Sequence, residues 1–504
     1  MNNLSTTHTM FFLVGFIMYI VMMIGIAYFT TRGKTSGEDY LMGGRNLGVL
    51  LLISTLAASA IGTGSAIGGT ANGFRSGFQG SVFGFANALG FLTLGLFFVQ
   101  VRKYNFRTVC EEVQFYFNGH PAIRKIMGIM MYIITLIWIA NHINGGSKYL
   151  SYVTGLEPLP SKILTVLAFA VYVFIGGYMA VVWTDAIQCI LLLGGFIIIT
   201  IMAIPTTGGV EAIKAAYIES GKAGALTPYG IGQTGIVGFL SLTVAAYWGA
   251  VIVPAFRMRV YTAKDESTAR KSMFSTGIIV FFFSLLPSVI GMAAFTIAKA
   301  NNATIVFQNP DFAFHYMATT ILGPVLGLLF LIAGLSATMS SADSEVIAGV
   351  TVFLTDIYTV FTKKEIKNEE IPKYSKYALV LTLIIAFLIT LYAKDVMGYI
   401  NDVVGGIAPG VGVAIILGRF WKKASWQGGL ASVAGGFLCG VCYLAIPSLN
   451  LLVKEIFKGP AIPITLVSLL LGVVVSLLTP YERKSEEERL KLVMEERYYK
   501  INKK

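Results

Sequence analysis

The sequence predicts an all-α integral membrane protein with about thirteen transmembrane helices. Only 13% of its 504 residues are charged and 55% are hydrophobic, whereas a soluble domain carries roughly a quarter charged residues. The charges cluster and leave apolar blocks of about 18 residues or more, which is long enough to cross a hydrocarbon core. These blocks are too numerous for a soluble core, so we interpret them as a bundle of spanning helices.

The apolar blocks follow one another along the whole chain. The first has no basic residue before it and is too long for a signal-peptide core, so we expect it to be retained as a span. An odd number of spans predicts that the two termini lie on opposite faces of the membrane. The blocks lie at about 10–30, 47–70, 80–100, 126–144, 161–182, 184–205, 235–256, 273–298, 321–350, 376–393, 396–418, 427–447 and 461–480.

The net charge of +12 indicates membrane topology rather than nucleic-acid binding. If the N-terminus lies outside, the cytoplasmic loops hold 29 of the 38 lysines and arginines, which is the bias expected of an inserted protein. We therefore expect a multi-pass protein of the plasma membrane with a cytoplasmic C-terminus. Its expected partners are membrane lipid and a small-molecule solute, with no nucleic acid, and its oligomeric state stays open.

Glycine and proline mark two spans as unusual. The second span reads ISTLAASAIGTGSAIGGTANG and contains Gly62, Gly64 and Gly68 among small hydroxylated residues. The seventh span carries Pro254 near its inner end. Paired interrupted helices in corresponding places predict an inverted-repeat transporter with a binding site near the middle of the membrane. The alternative is that these glycines serve only close helix packing.

The ninth span contains a stripe of small and hydroxylated residues. Ala337, Ser340, Ser341 and Ser344 fall at i, i+3, i+4 and i+7, which places them on one helical face, and Asp343 borders it. A small hard cation needs oxygen ligands of this kind. The alternative is that the serines join helices or bond to the preceding turn.

Ionisable and aromatic residues add further candidates. Asp185, Asp343 and Glu345 fall within or at the end of spans, where charged groups are costly and usually face a cavity, a partner or an ion. Asp185 could instead be a charge at a helix N-terminus, and Glu345 lies off the stripe and could pair with another polar group. Trp138 and Trp248 lie within spans, although such rings more often pack or lie at the membrane interface.

Motifs of enzymes and of ATP-driven pumps are absent from the sequence. We find no glycine-rich phosphate loop, no H-E-x-x-H and no paired Cys/His zinc spacing. An ion gradient is then the expected energy source. A proton-coupled carrier with Asp343 or Asp185 as proton carrier is the nearest alternative. A channel or a membrane-embedded receptor is a more distant one, since no pore motif or signalling domain is evident.

Five stretches together resemble one family, the sodium:solute symporters. They are EDYLMGGRNLG, GGYMAVVWTDAIQ, RVYTAKDE, SATMSSADS with the following LTDIY, and GGIAPGVGVAIILGRFWKK. The resemblance implies symport of a small polar organic solute with Na⁺ by alternating access. It also implies the LeuT-type fold, a five-plus-five inverted repeat made of spans two to six and seven to eleven.

The resemblance divides the chain and implies its ion sites. The implied parts are the first helix and a cytoplasmic loop (1–46), the first repeat (47–206), an extracellular segment (207–234), the second repeat (235–418), two further spans (419–480) and a cytoplasmic tail (481–504). The main sodium site would use the carbonyls of Ala58, Ile61 and Ala337 and the hydroxyls of Ser340 and Ser341. A second sodium or proton site would use Asp185, Asp343 and Ser344 together with Ser340.

The solute is not predicted, because this chain departs from the family at substrate positions. Ala60 replaces the acidic residue of proline carriers, and the fourth span lacks an arginine for a carboxylate. Spans two, four and seven should line the site. The expected contacts are Gly62, Thr63, Ser65, Trp138 and Trp248.

Overall fold

The computed structural model describes residues 6–32, 37–363, 366–392, 395–479 and 481–497. Almost all of these residues are helical, and a single bridge between Leu47 and Ala263 is the only β-pairing among them. The longer helices are Thr6–Thr31, Val49–Ala60, Val82–Phe97, Pro121–Thr154, Pro158–Thr206, Val210–Glu219, Ile231–Ile252, Glu266–Phe283, Leu285–Ala300, Gly323–Val352, Ile371–Thr390, Gly405–Phe420, Trp426–Ala445, Pro447–Phe457, Ala461–Leu478 and Glu486–Arg497. Shorter helices include Gly37–Met42, Gly69–Ser76, Val109–Tyr116, Pro254–Thr262, Ala313–Ile321 and Val396–Tyr399.

Eleven helical segments within the described residues are long and apolar enough to cross a membrane. Two further apolar helices, Val49–Ala60 and Pro158–Val171, are shorter. The all-helical membrane class is therefore confirmed, and the count of thirteen stays a prediction. The segments differ in burial, since the most apolar stretch of Pro121–Thr154 is 83% buried and that of Thr7–Thr31 only 22%. Apolar side chains left exposed in this way suit contact with lipid.

The second apolar block is a helix broken in its middle. Val49–Ala60 ends at Ile61, whose backbone leaves the helical region at φ −88° and ψ 52°. The chain resumes through a wide turn, Gly64–Gly68, into the helix Gly69–Ser76. We call this pair the broken helix. The break frees backbone groups at mid-length, as the glycine-rich sequence predicted.

Proline and glycine account for two other interruptions. The helix Ile231–Ile252 ends at Val253, and Pro254 begins the next helix, because proline has no N–H to continue the ladder. Pro158–Thr206 turns sharply at Gly177, where φ is +58°. A Cβ there would lie 2.8 Å from the carbonyl oxygen of Tyr40, so both the backbone angle and the close contact require glycine.

The helices pack in two groups. Val82–Phe97 packs on Ile231–Ile252 and Glu266–Phe283, and Val49–Ala60 of the broken helix also packs on Glu266–Phe283. In the other group, Pro121–Thr154 and Pro158–Thr206 pack on each other and on Gly323–Val352, which we call the serine helix. The serine helix also contacts Val49–Ala60. The candidate site therefore lies where the two groups meet.

Candidate functional site

Four predicted sodium ligands come together between the broken helix and the serine helix. Ser340 Oγ donates to the carbonyl of Ala58 at 2.9 Å, and Ser341 Oγ donates to the carbonyl of Ser59 at 2.7 Å. Both hydroxyls also lie 3.2 Å from the carbonyl oxygen of Ala337. All of these residues are buried. The result is a compact group of neutral oxygens, the ligand type that a hard cation prefers.

The break in the helix explains why the carbonyl of Ala58 is near the hydroxyl of Ser340. Past Ala60 the backbone leaves helical geometry, so carbonyls of the last turn lack their usual partners within the helix. Ile61, the remaining predicted ligand, lies at this break and donates its N–H back to Ala57 at 2.9 Å. Neutral carbonyl and hydroxyl oxygens suit a monovalent hard cation, so the residues present fit Na⁺.

Glycine at position 62 allows the two helices to approach closely. A Cβ built there would lie 2.0 Å from Ser341 Oγ and 2.8 Å from Ser341 Cβ. Gly62 has only a hydrogen atom where the serine helix approaches the break. Any larger residue there would push the serine helix away from the break.

The predicted second ion site contains a positive charge that the sequence analysis missed. Asp185 Oδ2 accepts hydrogen bonds from Thr55 Oγ1 at 2.5 Å and from Ser344 Oγ at 3.2 Å. Arg259 Nη2 lies 3.3 Å from the same carboxylate oxygen, 2.5 Å from Ser344 Oγ and 2.9 Å from Thr55 Oγ1. Asp185 and Arg259 are both fully buried. A buried carboxylate needs such a partner, because desolvating an unpaired charge is very costly.

The structure brings most of the second set together. Ser344 contacts Asp185, and Asp343 lies beside it, with Asp343 Oδ1 accepting from the backbone N–H of Ser344 at 2.9 Å. Ser340 belongs to the first group of oxygens instead. The signal for Arg259 was present in the quoted stretch RVYTAKDE, since Arg259 follows the break at Pro254 by little more than one helical turn.

A narrow cavity lies beside the sodium ligands. Gly62 and Trp138, two of the predicted solute contacts, line it. The volume of the cavity that is open to water-sized molecules is only about 30 Å³. Its walls are formed by Ser59, Ala60, Gly62, Gly64, Phe83, Asn87, Trp138, His142, Gly249, Val253, Phe256 and Glu345. Phe83, Asn87 and Phe256 were missed because nothing in their local sequence distinguishes them from packing residues.

The remaining three predicted contacts lie outside this lining. Thr63 is buried, with its hydroxyl 2.9 Å from His142 Nδ1, and Ser65 Oγ donates to the carbonyl of Ala60 at 2.8 Å. Thr63 and Ser65 thus contact two residues of the lining, His142 and Ala60. Trp248 also lies outside this lining, and its contact with the solute stays a prediction. Its indole N–H donates to Thr465 Oγ1 at 3.0 Å and its ring packs on Gly412.

Buried ion pairs join the helices at another part of the molecule. The short helix Val109–Tyr116, which we call the loop helix, carries Glu111 and Glu112, both buried. Arg124 pairs with Glu111 at 3.3 Å and with Asp356 at 2.9 Å. Arg497, the last residue of the tail helix Glu486–Arg497, pairs with the same Glu111. Burial alone would raise the pKa of the Glu111 carboxyl, but Arg497 and Arg124 outweigh it and lower that pKa to about 2.

The neighbouring Glu112 connects the loop helix to the helix Pro254–Thr262. Arg257 lies 3.2 Å from Glu112 across a buried ion pair, and the hydroxyl of Tyr261 donates to the same carboxylate. Both residues belong to Pro254–Thr262, the helix that follows the proline break. Two adjacent glutamates therefore link Pro254–Thr262, Pro121–Thr154 and the tail helix in this part of the molecule.

Comparison with known proteins places this architecture in a family. The family model for the sodium:solute symporter family matches residues 40–436. The chain is 26% identical to the sodium/pantothenate symporter of Haemophilus influenzae over 83% of this chain and 87% of that protein. It is 27% identical to the sodium/glucose cotransporter of Vibrio parahaemolyticus, with 83% and 82% covered. It is also 24% identical to the osmoregulated proline transporter OpuE of Bacillus subtilis, with 92% and 93% covered.

Solved structures agree on the fold. A sodium-coupled sialic acid symporter in an outward-open state superimposes with a TM-score of 0.75 at 16% identity, covering 94% of this chain and 99% of that one. A transporter of the nucleobase-cation-symport-1 family in a closed conformation gives 0.59 at 12% identity, with 92% and 100% covered. The shared architecture is the LeuT-like helical transporter fold.

The chain belongs to the sodium:solute symporter family. It is therefore a multi-pass transporter of the plasma membrane rather than an enzyme, and Na⁺ is its coupling ion.

Proposed function

We propose that the protein carries a small polar organic solute into the cell together with Na⁺ by alternating access. The observation that carries this proposal is the convergence of the Ser340 and Ser341 hydroxyls with the carbonyls of Ala58 and Ala337. These groups come from the two helix groups that must move against each other in such a cycle. An ion bound between them would couple its own binding to the relative position of the groups.

Sodium binding would replace hydrogen bonds between the two helices with contacts between their oxygen atoms and the ion. In the structure, each serine hydroxyl donates a hydrogen bond to a carbonyl oxygen of the broken helix. A cation needs oxygen lone pairs, so both protons must turn away and both lone pairs must turn inward. The ion then replaces two weak hydrogen bonds with contacts to several oxygens at once. This exchange ties the broken helix to the serine helix, and release of the ion inward would loosen the pair and free the solute.

The wider topology is part of the proposal. Thirteen spans, an outside N-terminus and a cytoplasmic C-terminus fit the distribution of basic residues. Spans two to six and seven to eleven form the two inverted repeats, within the boundaries given above. The breaks after Ala60 and at Val253 lie in the first span of each repeat, which supports this arrangement.

The ion pairs of the loop helix supply a closed inner face in this proposal. Glu112 holds Arg257 and Tyr261 of Pro254–Thr262, while Glu111 holds Arg124 of Pro121–Thr154. Opening toward the cytoplasm must separate these contacts. Sodium at the serines and ion pairs at the loop helix would then both favour the state that is open to the outside.

The second ion position is also a proposal. Asp185, Asp343 and Ser344 would bind a second Na⁺ or a proton, and Ser344 and Asp185 already share a hydrogen bond. Arg259 is bonded to both, so a second cation could bind only where the guanidinium withdraws. A carrier that uses protons at Asp185 or Asp343 remains the second candidate function on this observation.

Uptake into liposomes tests the proposal directly. The full-length protein is reconstituted, and uptake of labelled amines, amino acids, sugars and carboxylates is compared under an inward Na⁺ gradient and under equal K⁺. We expect accumulation of at least one solute that requires the Na⁺ gradient and disappears when an ionophore collapses it. Accumulation driven by a pH gradient in sodium-free buffer would contradict sodium coupling and support the proton carrier.

A further inference from the structure

The cavity beside the sodium ligands has one ionisable carboxylate in its lining. Glu345 follows Ser341 by four residues on the serine helix, so the two side chains share a face. Its side chain is only 4% exposed. Its Oε2 atom is buried and has no hydrogen-bond partner within the described part of the chain. An unpaired buried carboxylate oxygen is costly, so it indicates a partner that arrives with the solute.

The guanidinium of Arg259, which acts on Glu345, is hydrogen-bonded to other residues. Arg259 acts on Glu345 electrostatically, but its guanidinium directs hydrogen bonds to Asp185, Ser344 and Thr55. In the described residues no hydrogen bond joins Arg259 to Glu345. The lining itself contains neither lysine nor arginine among those residues. The cavity therefore has a carboxylate without a cation of its own.

The other walls fit a compact carbon framework. Phe83, Trp138 and Phe256 supply aromatic surface. At Gly62 and Gly249 the wall of the cavity is formed by the backbone itself. The rings of Phe83 and Trp138 have centroids 6.5 Å apart and are tilted by 59° to each other. Aromatic faces attract cations as well as apolar groups. A small ring or short branched body would fit better than a long chain, given the narrow volume.

A second acceptor lies in the same wall. The side-chain amide of Asn87 donates an N–H hydrogen bond to the carbonyl of Phe83 at 2.9 Å. This bond leaves the amide oxygen of Asn87 as an acceptor. With the carboxylate of Glu345, the lining offers two acceptors and one unpaired donor, the indole N–H of Trp138. Among the described residues it offers no lysine or arginine to an anionic group.

We propose that the solute is a small amine, carried as its protonated cation, whose ammonium group pairs with Glu345 while its carbon body packs on Trp138 and Phe83. This inference rests on the proposed function, since it names the solute class of the same site. It also assigns Glu345 as the residue that selects the charge of the solute. A neutral sugar would leave the carboxylate unpaired, and a carboxylic acid would place two anions together unless Na⁺ lay between them.

The test uses probes of one shape and different charge. Pyrrolidine is a cation at neutral pH, tetrahydrofuran is a neutral ring of the same size, and tetrahydrofuran-2-carboxylate is an anion. Proline adds a carboxylate to the cation. Binding of each to the full-length protein in NaCl is measured by calorimetry and by thermal stabilisation, for the wild type, for Glu345→Gln and for the control Glu211→Gln. Glu211 is exposed and lies outside the cavity, and it pairs with Lys214.

We expect pyrrolidine to bind the wild type and the Glu211→Gln control, and tetrahydrofuran to bind much more weakly. Glu345→Gln should lower the affinity for pyrrolidine at least about tenfold, because it removes a charge-assisted hydrogen bond. Equal binding of the neutral or anionic ring, unchanged binding in Glu345→Gln, or no binding of either amine would each overturn the inference. Proline binding as well as pyrrolidine would show only that a carboxylate is tolerated beside the amine, and would support it.

Stabilisation by NaCl without any probe distinguishes two kinds of failure. If NaCl stabilises both the wild type and Glu345→Gln, the sodium site and the fold are intact, and a failed probe series counts against the amine alone. If NaCl has no effect on the wild type, the proposed function fails first.

Discussion

Substituting alanine at Gly62 should weaken sodium binding, because the new methyl group takes space that Ser341 occupies. The added Cβ would lie 2.0 Å from Ser341 Oγ and 2.8 Å from Ser341 Cβ, with His142 Cε1 at 3.3 Å. Ordinary contacts of a Cβ begin at about 3.4 Å. The hydroxyl can rotate away, but the Cβ of Ser341 moves only with its helix. The substitution must therefore displace one of the two helices by several tenths of an ångström.

The magnitude follows from the cost of overpacking. Inserting one carbon into a packed interior typically costs about 1–3 kcal/mol. If this cost falls on the geometry that holds the ion, the affinity for Na⁺ decreases about 5- to 160-fold. The assay is the melting temperature of the purified protein as a function of NaCl concentration. The midpoint of the sodium effect should move to higher concentration by that factor.

Gly25→Ala is the matched control for this substitution. Gly25 lies within Thr6–Thr31, and a Cβ added there meets no atom within 4 Å. Its sodium midpoint should equal that of the wild type, and its helix should gain up to about 1 kcal/mol from the better helix former. A wild-type sodium midpoint in a folded Gly62→Ala protein would refute the inference that Gly62 sets the approach of the serine helix to the broken helix around the ion.

Two further predictions concern buried charge. Arg259→Leu should lower the free energy of unfolding by about 3–5 kcal/mol, because it leaves the buried carboxylate of Asp185 without its partner. The double variant Arg259→Leu/Asp185→Leu should recover part of this loss in denaturant titrations, and a double variant no more stable than the single one would contradict the pairing. The pKa of Glu111 is lowered from 4.5 to about 2, so its contribution to stability is complete above pH 4.5 and is lost as the pH falls toward 2. Arg497→Ala should reduce this acid dependence, measured as melting temperature between neutral pH and pH 3, and an unchanged profile would count against the tail contact.

The sequence was most informative where one helix presents a repeating pattern. Ser340 and Ser341 follow Ala337 by three and four residues, so helical geometry alone places their side chains on one face. The break after Ala60 was also predictable, because glycines and small hydroxylated residues make a poor continuous helix. Their meeting across 282 residues of chain came from the family resemblance, since helix periodicity does not indicate which helices are neighbours.

Side chains whose direction depends on tertiary packing were less predictable. Trp248 was expected near the solute, and in the structure its ring packs on Gly412 while its indole N–H donates to Thr465. Arg259 reads as an ordinary basic residue after a span, and only the fold brings it to Asp185. Glu345 lies one position beyond the stripe, yet it is one turn from Ser341 and lines the cavity. A stripe defined by one residue type misses such an edge position.

The central claim is that Na⁺ binds between the broken helix and the serine helix. The most direct measurement is the thermal stability of the purified protein in NaCl against KCl, for the wild type and for Ser340→Ala/Ser341→Ala. Ser54→Ala serves as control, since its hydroxyl donates to the carbonyl of Leu50 in its own helix and is not one of the sodium ligands. We predict stabilisation by NaCl over KCl in the wild type and in the control, and its loss in the double variant. Equal stability in the two salts for the wild type, or an undiminished sodium effect in the double variant, would contradict the account.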